Sequence, residues 1–113
     1  MITIDATNKS LGRVASAAAK ALLGKHSADF ARNTTTKVSV KVIGASKVHL
    51  SGNKNKQMEY IRYSGYPGGQ KKETYDMLVK RRGHKEAIRR AVLGMLPKNK
   101  LQTPRIKMLT IEN

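Results

Sequence analysis

The sequence contains no cysteine. A disulfide framework is therefore excluded, and so is any zinc centre built on thiolates; the composition fits an intracellular protein. Acidic residues are scarce and scattered: Asp5, Asp29, Glu59, Glu73, Asp76, Glu86 and Glu112. Two-metal hydrolysis needs several carboxylates converging on its ions, and this distribution gives no sign of such a cluster. His26, His49 and His84 stand alone, without metal-ligand spacing. No apolar run approaches the roughly 18 residues that span a bilayer. The start, MITIDATNKS, lacks the basic-then-apolar order of a secretory signal. Neither a membrane location nor export is expected.

What is abundant is positive charge. The 113 residues include 23 lysines and arginines against 7 acids, a formal net charge of +16. Self-repulsion at that level opposes compaction, and solubility alone needs a net charge of only about 2 to 8 in a small domain. The excess is expected to meet a polyanion, with nucleic acid ahead of an anionic membrane surface. The length suits one compact domain, residues 1–113, burying roughly two thirds of its unfolded surface.

Charge and apolar periodicity coincide in Lys80–Lys100, KRRGHKEAIRRAVLGMLPKNK. Ile88, Ala91, Val92, Met95 and Leu96 follow one helix face. Glu86 is the single acid among eight lysines and arginines, and at i,i+4 from Arg90 it is spaced to pair. The pattern predicts a helix over about 85–96, stopped by Pro97, after a shorter helix over about 74–82 that Gly83 ends.

Upstream, Ile2, Ile4 and Ala6 alternate as a strand over 2–6. Ser10 is a good N-cap for a helix over 11–23, and Gly24 a good stop. Residues 25–37 read as an irregular loop with Phe30 as a core anchor, and Val38, Val40 and Val42 predict a strand over 38–43. This order predicts a parallel βαβ unit. Strands at 47–50 and 58–63 are expected to pair as a hairpin turned at Ser51-Gly52-Asn53-Lys54, followed by a glycine-rich loop from Ser64 to Lys72. Residues 106–111 predict the last strand. The expected class is α/β: a mostly parallel central sheet with flanking helices, built from a βαβ start, a hairpin, two helices and a final strand.

No catalytic motif holds. The phosphate-loop pattern fails because position 19 is Ala and His26 follows Gly24-Lys25, and no G-x-G-x-x-G occurs. Ser10, Ser51 and Ser64 have no general base in a recognisable motif. No enzyme activity, cofactor, metal or small-molecule substrate is expected. Two classes of binding protein remain. The helices around Gly83-His84 fit a helix-turn-helix regulator with Arg89 and Arg90 on its recognition helix, but that helix offers no Asn, Gln or Ser to read base edges. The segment from Tyr60 to Lys72 combines glycines for close approach, tyrosines for stacking and cations for phosphate, which suits irregular RNA.

Five stretches then carry a family resemblance: Ile4-Asp5-Ala6-Thr7-Asn8-Lys9-Ser10-Leu11-Gly12-Arg13; Leu23-Gly24-Lys25-His26; Ser51-Gly52-Asn53-Lys54; Tyr63-Ser64-Gly65-Tyr66-Pro67-Gly68-Gly69; and Gly94-Met95-Leu96-Pro97-Lys98-Asn99. In this order, over almost the whole chain, they resemble the ribosomal protein L-thirteen family of the large subunit, in its bacterial type. Thr34-Thr35-Thr36-Lys37 departs from the family's acidic, glycine-containing turn, and Gln102-Thr103 from its Gly-Arg pair. The resemblance implies an α/β fold with a mostly parallel sheet. It implies a structural, non-catalytic role in binding large-subunit ribosomal RNA early in assembly, beside neighbouring large-subunit ribosomal proteins. The implied location is the cytoplasmic ribosome, with an organellar ribosome as the other setting.

The expected RNA contacts fall in three patches. Arg81, Arg82, Lys85, Arg89, Arg90, Lys98 and Lys100 form the first. Lys54, Tyr66, Gly68, Gly69, Lys71 and Lys72 form the second. Arg13, Lys20, Lys25 and His26 form the third.

Overall fold

The computed structural model describes residues 2–25, 28, 31, 33 and 38–113. His26, the Phe30 anchor and the Thr34-to-Lys37 departure lie outside the described residues. In chain order the elements are β1 (Ile2–Asp5), α1 (Leu11–Leu23), β2 (Val40–Ile43), α2 (Lys54–Gln57), β3 (Glu59–Tyr63), β4 (Gln70–Thr74), α3 (Tyr75–Arg82), α4 (His84–Met95), α5 (Gln102–Lys107) and β5 (Leu109–Ile111), with a 3-10 turn at Ala45–Lys47. The α/β class with a parallel sheet and flanking helices is as the sequence predicts.

The sheet runs β1-β2-β5, parallel throughout. Its register pairs Ile2 with Val40 and Ile4 with Val42, and then Val40 with Leu109 and Val42 with Ile111. Side chains alternate across a strand, so these six share one face. Against it lie α1 and α4, packed on each other. Leu11, Val14, Ala15, Ala18 and Leu22 of α1 recur at helical spacing and are buried, and the alanines let the helix approach closely. From α4, Ala87, Ile88 and Val92 complete the layer, with Leu78 and Tyr75 of α3 beside them.

The caps match the residues that supply them. Ser10 Oγ accepts from the Arg13 N–H at 3.4 Å. Gly24 takes the left-handed conformation (φ 78°), and the Lys25 N–H reaches the Lys20 carbonyl at 3.4 Å, the six-to-one bond of a Schellman ending. Thr74 caps α3 by accepting from the Met77 N–H.

Four expectations are corrected. Residues 47–50 form no strand; only His49 bridges, to Ser10. The hairpin is β3–β4, with Tyr60 opposite Glu73 and Tyr63 opposite Gln70, so part of the supposed glycine-rich loop is strand. The 106–111 segment begins as helix: α5 takes Ile106 and Lys107, leaving three residues for β5. The second strand likewise starts at Val40, two residues later than expected.

Candidate nucleic-acid interface

The turns that follow β1 and β2 interlock. The Asn8 N–H donates to the Lys47 carbonyl at 3.0 Å, and the His49 N–H donates to Lys9 at 2.9 Å. Gly44 (φ 71°) lies so close to the first turn that a Cβ there would stand 2.5 Å from Thr7 Oγ1. The Asp5 carboxylate accepts from the Thr7 N–H at 2.9 Å, which holds its carboxyl below the usual range. This interlock fixes the entry to α1. Exposed Arg13, in the first turn of α1, and exposed Lys54, opening α2, both line a recess of about 420 Å³. Part of the third patch and part of the second therefore meet. Leu11, Gly12, Leu50, Met58, Ala91 and Met95 also line it, and among the described residues no carboxylate does.

A second concavity, about 560 Å³, runs between the α3–α4 junction and β5. Arg81, Arg82, Lys85, Glu86 and Arg89 wall it, over Ile106, Leu109 and Ile111. The cations here are not equivalent. Arg81 binds both oxygens of Glu73, Nε to Oε1 and a terminal nitrogen to Oε2, each at 2.8 Å. That fork pushes the Glu73 carboxyl below, and the Arg81 guanidinium above, their ordinary values. Arg90 donates to Glu86 at 3.2 Å and sits 5.4 Å over the Tyr60 ring. Burial raises the Tyr60 phenol, and the charge of Arg90 opposes that rise. Arg89 is 3.8 Å from the same Glu86 and more exposed. Arg82 and Lys85 are exposed on the groove wall.

The β3–β4 hairpin carries the rest of the second patch. Tyr66-Pro67-Gly68-Gly69 closes with a Gly69 N–H to Tyr66 carbonyl bond of 2.9 Å. Gly68 has φ 72°, as the third position of a type II turn demands after proline. A Cβ at Gly69 would run into the Ser64 side chain. Tyr66 is 75% exposed at the tip, and Lys71 and Lys72 are exposed on β4. Strand alternation divides the hairpin. Tyr60, Arg62, Lys71 and Glu73 share one face, with Tyr60 packed against the core. Ile61, Tyr63 and Lys72 share the other, where Ile61 and Tyr63 are exposed. Neither belongs to the three expected patches; their period-two spacing beside Tyr66 is the available signal.

Lys20 and Lys25 are exposed near the end of α1, lining a shallow concavity with Ile2. They lie apart from the recess that holds Arg13. Lys98 and Lys100 are exposed in the loop after α4, whose Asn99 side chain accepts from the Leu101 N–H at 3.0 Å. Arg105 is 1% exposed and lies outside any surface patch. Among the described residues no group of three or more His, Asp or Glu side chains is arranged to hold a metal ion. Among them, too, no helix is long and apolar enough to cross a membrane.

A parallel α/β body whose concavities are walled by arginine and lysine, with a glycine-tyrosine hairpin beside them, defines a class of strongly basic α/β protein. The comparisons with known proteins go further: the family model described as ribosomal protein L13 matches residues 1–111, and the chain belongs to that family. It is 49% identical over 109 residues to the large ribosomal subunit protein uL13 of Natranaerobius thermophilus, covering 96% of this chain and 76% of that one. It is also 49% identical to the uL13 of Treponema pallidum (strain Nichols), over 96% and 75% of the two chains. With the uL13 of Streptomyces coelicolor the identity is 44%, over 96% and 73%.

Proposed function

We propose that the chain is a single-domain structural constituent of the large ribosomal subunit. It binds large-subunit ribosomal RNA, supports early subunit assembly and sits beside neighbouring ribosomal proteins on a cytoplasmic ribosome. Family membership supports the ribosomal role. The observation that carries RNA binding is how the few acids are used. Glu73, Glu86 and Glu112 are paired within the chain, to Arg81, to Arg89 and Arg90, and to Lys41. Arg13, Lys54, Lys71, Lys72, Arg82, Lys85, Lys98 and Lys100 remain exposed for phosphate. Arg89 joins them, its contact with Glu86 being long and solvated.

Binding to a large-subunit RNA fragment, followed across a salt series, tests this. Each phosphate neutralised steepens the log-log salt dependence by roughly 0.7 to 0.9, and a flat dependence overturns the reading. Co-sedimentation separates it from a free-standing helix-turn-helix regulator: a ribosomal protein travels with the large subunit in stoichiometric amount.

A further inference from the structure

We propose that the recess between the start of α1, the Leu50-Ser51 turn and the end of α4 is the seat of a single nucleobase turned out of the RNA. This rests on the RNA-binding reading above and narrows it to an unpaired nucleotide. The recess, about 420 Å³, is floored by Leu11, Leu50, Met58, Ala91 and Met95, drawn from two helices and two connecting segments. Methionine thioethers contact aromatic rings favourably, and a base offers two such faces. Met95 is 44% exposed, an apolar side chain that the fold leaves uncovered in this recess.

The rim is cationic. Arg13 and Lys54 line the opening with His49 and Ser51, and among the described residues no carboxylate joins them. An apolar side chain of a protein neighbour would fill the floor and leave both cations unanswered. A nucleotide answers both features, with its base on the floor and its flanking phosphates on Arg13 and Lys54.

Gly12 is the independent observation. It lies in the first turn of α1 on helical backbone, outside the left-handed region. Among the described residues a Cβ built there meets nothing within 4 Å. Neither conformation nor packing among them asks for glycine, which weakens a helix. Its missing side chain keeps the mouth of the recess open.

The test uses the full chain and two RNA duplexes of equal length, one fully paired and one carrying a single unpaired 2-aminopurine nucleotide. The bulged duplex is expected to bind about tenfold tighter, the scale of stacking one base on a protein surface. The 2-aminopurine emission is expected to change on binding. Gly12→Leu, which carries a side chain into the mouth, and Met95→Ala, which strips the floor, should each reduce both effects; thermal unfolding checks that the variants fold. Equal affinities with unchanged emission overturn the base seat and leave RNA binding standing. Failure to bind either duplex overturns the RNA-binding reading itself.

Discussion

The Arg81 guanidinium holds the Glu73 carboxylate through two hydrogen bonds of 2.8 Å each, fastening the last turn of α3 to strand β4. Parallel bonds of this kind fix orientation as well as position. Arg81 therefore braces the hairpin against the helices, and its charge is partly spent before any RNA arrives.

The pair makes stability depend on pH. Glu73 is held below its ordinary value of 4.5, chiefly by the Arg81 hydrogen bonds. The unfolded chain therefore takes up this proton more readily than the folded one. The stabilisation is complete above the unfolded value and is lost as pH falls through the lower, folded value. Thermal midpoints of the wild type should fall on the acid side of about pH 4.5 more steeply than those of Glu73→Gln, as unfolding scans across that range would register.

Arg89 and Arg90, adjacent in sequence, should separate on mutation. The Arg90 side chain is 28% exposed, bonded to Glu86 and lying over Tyr60; that of Arg89 is 48% exposed and 3.8 Å from Glu86. Arg90→Ala is expected to cost about 1 kcal/mol of stability. Arg89→Ala should leave stability nearly unchanged and weaken RNA binding with a shallower salt slope. Denaturant unfolding and filter binding on the two single variants resolve the difference.

Ile88 is 1% exposed, in the layer where α4 closes the core over α1 and the sheet. Ile88→Ala should cost about 2 to 4 kcal/mol through the cavity it leaves. The midpoint of urea unfolding should fall with little change in slope.

Gly44 supports the interlock from which Arg13 and Lys54 are presented. A methyl there must adopt φ 71° and crowd Thr7 Oγ1. Gly44→Ala should destabilise by at least about 1 kcal/mol. Hydrogen exchange should show the weakening first at the Asn8 and His49 amides, which cross between the two turns.

Much of the fold was legible where burial imposes a long period. The α1 and α4 stripes, the Ser10 and Gly24 caps and the β1–α1–β2 order could be read because each apolar position faces a core. The hairpin limbs were misplaced because β4, Gln70–Thr74, holds no large apolar side chain, and most of the hairpin is exposed on both faces. A strand without buried apolar side chains leaves no alternation to read. The α5 turn was hidden by its shortness and by Pro104 within it. As for the interface, the abundance of charge was visible and its allocation was not. Arg81 reaches a carboxylate eight residues back, across a strand–helix junction, and Arg105 is enclosed in the core; neither fate is written in local spacing.

The described body measures 45 × 36 × 20 Å. Its short dimension is more than twice the roughly 8 Å screening length at physiological ionic strength. Charges on opposite broad sides of the slab are therefore largely hidden from one another. Neutralising one side does little to relieve the repulsion stored on the other, so each side retains its own attraction for polyanion. A body of this shape keeps two nearly independent electrostatic surfaces.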